Sequence, residues 1–425
     1  MSNRRAALGF IFITVLLDML SFGMVAPLLP KLISDFLNGN TARASEYIGM
    51  FTTTWALMQF VFAPVLGLLS DRFGRRPVVL LSNFGLALDY FVMAIAPSIG
   101  WLFLGRVLSG ITSASIPTAT AYISDVTAPE KRSKAFGMLG AAFGAGFILG
   151  PAVGGWLGNH NPRLPFWVAG VGSLLNFCYG VFVLPESLPP ERRQPRLQWK
   201  NANPVGALRL LRSHADLLGL ATVNFLGYVA HEVYVTVFVL YVIYRYAWNP
   251  RMIGISLALV GVTSMVAYAS VGPIVARLGE RRTLLTGLAC AALGFALFGW
   301  PSPVVFLVAI PINAYWSLAG STSQSLMTEH VSPFEQGELQ GALASLRGVG
   351  MLIGPGLFSL TFAYFIAPQH HLPGAPWYLA SLLILISLGI AWVVAKDRKK
   401  MKTRVKTTME HWRRRKPAKA HVPSP

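Results

Sequence analysis

Six ionisable side chains sit inside long apolar runs of this sequence: Asp18, Asp89, Arg106, the adjacent His231 and Glu232, and Arg347. A charged group at the centre of a membrane-crossing helix costs at least about 2.5–3.5 kcal/mol, so such a residue is kept for a partner or a task. A carboxylate placed there can take up and release a proton or attract a cation; an arginine can hold a carboxylate or attract an anion. The competing use of the same groups is a fixed buried ion pair. His231 and Glu232 are neighbours, so on a helix they point about 100° apart and do not both line one narrow path. Glu232 is a candidate for a proton or a cationic substrate, His231 for that path or for an interfacial position, and Arg347 for an anionic substrate group.

The elements that must carry these residues are helices in a membrane. Of 425 residues, 54% are hydrophobic and 12% charged, against about 25% charged in an ordinary soluble protein; mean hydropathy is +0.53. Apolar runs of about 20 residues recur along the whole length, each able to cross roughly 30 Å of hydrocarbon. Twelve helices are predicted, at residues 6–29, 46–69, 77–96, 100–123, 134–158, 164–184, 216–243, 252–275, 282–300, 303–327, 338–366 and 376–395. The first run contains Asp18 and ends in Pro27-Leu28-Leu29-Pro30 without a small-residue cleavage pattern, so it reads as a helix and not as a leader. With the amino terminus inside, cytoplasmic segments hold 29 of the 36 Lys and Arg, which puts both termini in the cytoplasm.

The formal net charge of +19 is concentrated beyond Ala395, where twelve Lys and Arg accompany two acids. Such a tail is expected to be a solvated extension near anionic lipid, not a nucleic-acid partner. Cys178 and Cys290 both lie in apolar runs and suggest neither a disulfide framework nor a metal site. No nucleotide-binding loop, metal-ligand set or nucleophile arrangement is present, so neither ATP drive, a cofactor nor an enzyme activity is expected.

Between the second and third apolar runs lies Gly67-Leu68-Leu69-Ser70-Asp71-Arg72-Phe73-Gly74-Arg75-Arg76-Pro77. Gly67 and Gly74 permit close approach and unusual backbone angles. Asp71 can face the positive end of a later helix and Arg75 can reach Asp125, which together would form a latch; the plainer reading is a loop whose arginines set topology. A second copy, Gly272–Arg282, follows at an offset of 205. Pro129, Gly137, Gly146, Gly150 and Pro151 recur at Pro333, Gly341, Gly350, Gly354 and Pro355, offset by 204. The chain is therefore read as a duplication: a bundle of six helices over 1–184, a linker over 185–215, a second bundle over 216–395 and a basic tail over 396–425, with a cavity where the repeats meet. Gly146, Gly150 and Gly154 share one helix face and, with Gly155 and Pro151, invite close approach of another helix.

These motifs resemble the major facilitator superfamily, and more narrowly its drug:proton antiporters of the tetracycline-efflux type. The likeness is carried by the Gly67–Pro77 loop, by Leu102–Gly110 with Arg106 inside it, and by Gly146-x3-Gly150-Pro151-x2-Gly154-Gly155. Pro27–Pro30, Leu88-Asp89-Tyr90 and Leu184-Pro185-Glu186-Ser187 add to it. The resemblance implies an all-α membrane protein of twelve transmembrane helices in two six-helix bundles. It further implies gating by Gly67, Asp71, Arg72, Gly74, Arg75 and Asp125, with Asp18 as the titrating carboxylate, Arg106 as its electrostatic regulator and Asp89 lining the cavity. Thr263, Ala267 and Ala291 stand where the tetracycline exporters carry polar groups, so an amphipathic organic solute is implied more firmly than tetracycline itself.

Trp55, Gln59, Asn224, Tyr228, Asn313, Trp316 and Gln324 join Arg347 as cavity candidates, each with helix packing as the alternative. Tyr241, Tyr244, Tyr246 and Trp248 read as a membrane-interface belt. The expected function is exchange of an inward proton for an outward amphipathic compound, by a monomer in the cell's inner membrane. A metabolite symporter or uniporter on the same fold is the alternative, and a non-transporting receptor or scaffold a third.

Overall fold

The computed structural model describes residues 2–112, 115–127, 129–193, 211, 215–331 and 336–395. The basic tail, most of the linker, Pro333 and Glu335 lie outside the described residues. The predicted segments are all helical: α1 Ser2–Val25, α2 Thr41–Phe73, α3 Arg75–Ile95, α4 in the stretches Ile99–Thr112 and Ser115–Val126, α5 Pro129–His160 and α6 Leu164–Val183. The later six are α7 in the pieces Ala215–Thr236 and Phe238–Tyr246, α8 Pro250–Leu278, α9 Glu280–Phe298, α10 in the pieces Pro303–Ala314 and Ser317–Thr328, α11 Gln336–Phe365 and α12 Ala375–Val394. Successive segments alternate in direction, so Ser2 and Val394 lie on one face, called the terminal face below; the opposite face is called distal. Large apolar side chains remain on the outside, Phe182 at 87% and Val393 at 73% exposure, as expected where lipid replaces water as the surrounding medium.

Boundaries differ from the periodicity where local chemistry intervenes. The first helix stops at Val25, and Leu29–Phe36 is a separate short helix opening with Pro30, at a first-turn position that proline favours. The two pieces of α7 meet at Val237 with a bend of 49°. Tyr241, predicted as part of an interfacial belt, is 1% exposed and packs on Phe306, Phe362 and Trp377. It belongs to an aromatic core that also holds Phe238, Phe295 and Phe298, and Tyr246 and Trp248 lean on Phe306 at its edge.

The first six helices pack mainly among themselves, as do the last six, and the two sets meet along α5–α8 and α2–α11. Each set carries one similar tie. The Arg76 guanidinium donates to the carbonyl of Val181 in the last turn of α6, and Arg281, at the repeat offset, donates to Trp392 in the last turn of α12 while lying over its ring. A cation at a helix carboxyl end meets unpaired carbonyls and the negative end of the dipole.

The two copies of the loop use their glycines alike. Gly74 and Gly279 both adopt positive φ, +110° and +78°, where a side chain is strained. A Cβ at Gly67 or Gly272 would meet nothing within 4 Å, so the close approach predicted at Gly67 is absent in this conformation.

Candidate functional site

The Gly67–Pro77 loop is organised around two carboxylates of its own half. Arg75 pairs with Asp71 at 2.5 Å and with Asp125 at 3.2 Å. The predicted Arg75–Asp125 contact is therefore present, whereas Asp71 is held by Arg75 rather than by a helix of the later half. Arg72 is exposed and lies over Phe73. Glu186, which carries no signal of its own in the sequence beyond its place after α6, fastens this loop. Its carboxylate accepts the backbone N–H groups of Arg75 at 2.8 Å, Arg76 at 3.3 Å, Ser187 at 2.9 Å and Leu188 at 3.0 Å. It thus sits as an anion at the start of α3, where orphan N–H groups and the helix dipole favour one. A Cβ on Gly74 would collide with this carboxylate.

Glu186→Gln removes the charge but little volume. Because the Glu186 side chain is 25% exposed, the expected loss is about 1 kcal/mol, seen as a fall of a few degrees in the melting temperature of detergent-solubilised protein. An unchanged melt would mean that the charge is not what holds the loop.

Asp89 and Arg106 form a buried ion pair, 2.6 Å apart with the Asp89 side chain fully enclosed. Arg106 is therefore ion-paired to Asp89, and the enclosed Asp89 carboxylate does not line a cavity in this conformation. Gly105 makes the pairing possible, since a Cβ there would lie 2.6 Å from Asp89 Oδ1. Asp18 is 3% exposed on α1, and Tyr90 is within electrostatic reach of Asp18, Asp89 and Arg106. One turn from Asp18, Thr14 donates to Asn176 of α6 at 3.2 Å. The first six helices thus enclose two acids and one arginine around a tyrosine.

Helix α5 uses its glycines against two partners. A Cβ at Gly146, Gly150 or Gly154 would strike α1 around Met19, Leu20, Gly23 and Met24. Gly155, turned away by one residue, meets Gly254 and Pro250 of α8, while the Pro151 carbonyl faces Gly254. The repeat reproduces both uses: Gly350 and Gly354 press on Tyr228 and Glu232 of α7, and Ser359 of α11 meets Gly49 of α2. Ser45 adds a 2.8 Å hydrogen bond to the Ser359 carbonyl. Gly49 and Gly254 are separated by 205 positions and Gly155 and Ser359 by 204, so the two seams are related by the duplication.

Contacts along the seams run from the distal ends to the middle, where Phe60 meets Gly348 and Ile148 meets Gly261. Toward the terminal face, a Cβ at Gly67, Gly140, Gly144 or Gly272 would meet nothing within 4 Å. The seam contacts made through glycine are therefore found from the distal side to the middle and not at these four terminal-side glycines.

The later six helices carry most of the polar candidates for a cavity wall. His231 is accessible to water although protein surrounds it, as befits a cavity wall, and its ring packs at 5.7 Å on Trp316 and 5.9 Å on Tyr234. Glu232, 6% exposed, points elsewhere, as the 100° separation requires. Tyr228 and Trp316 are half-buried, as are Trp55 and Gln59 on α2, and Arg347 is exposed. Gln324 donates to Gln340 at 3.2 Å, both exposed. Two candidates are packing residues instead: Asn313 is 4% exposed and accepts from Tyr234 at 2.7 Å, and Asn224 donates to Ser323 at 2.8 Å. Among the described residues no three His, Cys, Asp or Glu side chains gather as a metal site.

Residues 11–355 match the family model described as the Major Facilitator Superfamily. The tetracycline resistance protein of class C from Escherichia coli is 37% identical over 389 residues, covering 90% of this chain and 95% of that protein. The class G protein from Vibrio anguillarum is 36% identical over 88% of this chain and 94% of its own length. Among solved structures, the human organic anion transporter MFSD10 (TETRAN) superposes with a TM-score of 0.66 at 25% identity, over 91% of this chain and 99% of that one. The nucleoside transporter NupG superposes with a TM-score of 0.75 at 14% identity, over 94% and 100%, a likeness of fold alone. Duplicated motifs, twelve helical segments meeting along two seams, and these matches agree: the chain belongs to the major facilitator superfamily, among its tetracycline-efflux-type proteins.

Proposed function

We propose that the protein exports a small amphipathic organic compound across the cell membrane in exchange for protons, by alternating access of the space between its two six-helix sets. The observation that carries this reading is the placement of Asp18, Asp89 and Arg106 inside the first six helices, at membrane depth and away from the water-accessible His231 and Arg347. A proton site and a substrate site that are separate can be occupied alternately. Asp18 is the proton carrier in this scheme, and the Asp89–Arg106 pair sets the local field. The loop from Gly67 to Arg75, with Asp125, is the terminal-face gate, released here and closing when the distal seams part. The basic segments make the terminal face cytoplasmic, so seam contacts on the distal side fit an inward-open conformation. The bundles are 1–184 and 216–395, joined by the 185–215 linker, and one chain is the working unit, in which the Gly146–Gly155 motif packs α5.

The test is uptake of tetracycline and a panel of amphipathic compounds into inside-out vesicles holding an imposed proton gradient. Accumulation that a protonophore abolishes supports antiport. Movement of solute in the same direction as the proton supports symport instead, and no gradient-dependent movement of any compound defeats the transport reading.

A further inference from the structure

Arg347 is exposed and makes no ion pair within 4.0 Å among the described residues. Its place on α11 is well defined. The next residue, Gly348, meets Phe60 of α2, and Gly350 meets Tyr228 of α7, so position 347 lies at the mid-membrane end of the inter-half seam. Tyr228, His231 and Glu232 are within its electrostatic reach. Of these, Glu232 is the acid, and it is 6% exposed with its stem against Gly354. The acids of the first half, Asp18 and Asp89, are likewise buried, and Asp89 is neutralised by Arg106. Arg347 is thus an exposed guanidinium with no acid paired to it and with Tyr228 and His231 in reach, and the His231 ring in turn packs on Trp316.

We infer that Arg347 is the residue that recognises substrate charge, and that the substrate class is an amphipathic organic acid bearing a carboxylate, sulfonate or enolate beside an aromatic ring system. A planar oxyanion satisfies two guanidinium N–H groups at once, with a geometry that a lone ammonium does not match. The rings of Tyr228 and Trp316 then cover the apolar body of the same molecule. This assignment deepens the transport reading and rests on it for direction only, because recognition itself needs no proton gradient.

The experiment measures equilibrium binding of two xanthene dyes of similar size, the anion fluorescein and the cation rhodamine 123, to purified protein in phosphatidylcholine nanodiscs. The unaltered protein is expected to bind fluorescein the more tightly. Arg347→Gln is expected to weaken fluorescein binding by about tenfold or more while changing rhodamine 123 binding less than about twofold, and Arg347→Lys to fall between for fluorescein. Retained rhodamine 123 binding in the variant also shows that it is folded. Preference for the cation in the unaltered protein, or an equal loss for both dyes in Arg347→Gln, overturns the assignment. Adding phosphatidylglycerol separates a dissolved acid from a lipid headgroup: an unchanged fluorescein constant supports the inference, and displacement by the anionic lipid overturns it. Should binding depend on Arg347 while vesicles show no proton-driven flux, the transport reading fails and this one stands.

Discussion

Replacing Gly254 with valine is expected to reduce transport by about 100-fold or more while leaving the protein folded. Gly254 faces the Pro151 carbonyl and lies against Gly155, whose own Cβ would come within 2.9 Å of the Gly254 Cα. Close-packed backbones at such a contact leave no room for three extra carbons, and the neighbouring atoms are main chain, which cannot rotate away. The distal seam is then held apart, and a gate that cannot close stops the cycle. Gly49, related to Gly254 by the duplication, faces Ser359 and the Pro355 carbonyl, and Gly49→Val is expected to act alike. The direct readout is alkylation of Ser45→Cys, a position fully buried in the seam, with Cys178 and Cys290 replaced by serine: protected with Gly254 intact, modified with Gly254→Val. Continued protection together with full transport would show that these contacts are packing without gating.

Asp18→Asn and Asp89→Asn should separate two uses of a buried acid. Asparagine matches aspartate in size but cannot carry the proton, so Asp18→Asn is expected to lower gradient-driven flux by about 100-fold or more with little change in melting temperature. Asp89→Asn instead leaves the Arg106 guanidinium enclosed without its counter-charge, a loss of about 3–5 kcal/mol, visible as poor yield and a depressed melt. Pairing it with Arg106→Gln should restore much of that stability, since removing both charges is far cheaper than removing one. Flux and melting temperature measured on the three variants decide the matter. Normal proton flux in Asp18→Asn, with its loss in a stable Asp89→Asn, would exchange the two roles.

The helices were legible because each needs only a run of apolar residues, and the duplication because glycine and proline recur at a constant offset. Partnerships were less so. Arg106 on α4 pairs with Asp89 on α3, and that pairing depends on Gly105 letting the two helices approach, a matter of register between helices that spacing along one helix does not encode. Tyr241 resembled an interfacial tyrosine by its place near a helix end; its burial follows from Phe306, Phe362 and Trp377, contributed by α10, α11 and α12. Glu186 could have been noticed as an acid just beyond α6, yet nothing local says that it caps a helix more than a hundred residues earlier. Gly49 and Gly254 carried a usable signal, identical residues at the repeat offset, but they lie outside the charged and Gly-Pro motifs that draw attention.

The arginine ties at Val181 and Trp392 bear on how such a chain is made. Each closes a loop of sequence within its own half, spanning 105 and 111 positions, so neither requires a residue from the other half. A nascent polypeptide that has emerged only as far as Val183 already possesses both ends of the first tie, and the ribosome can finish the remaining helices behind a unit that is already fastened. Membrane insertion in two successive instalments, each sealed by its own arginine, is the order of synthesis that this arrangement suits.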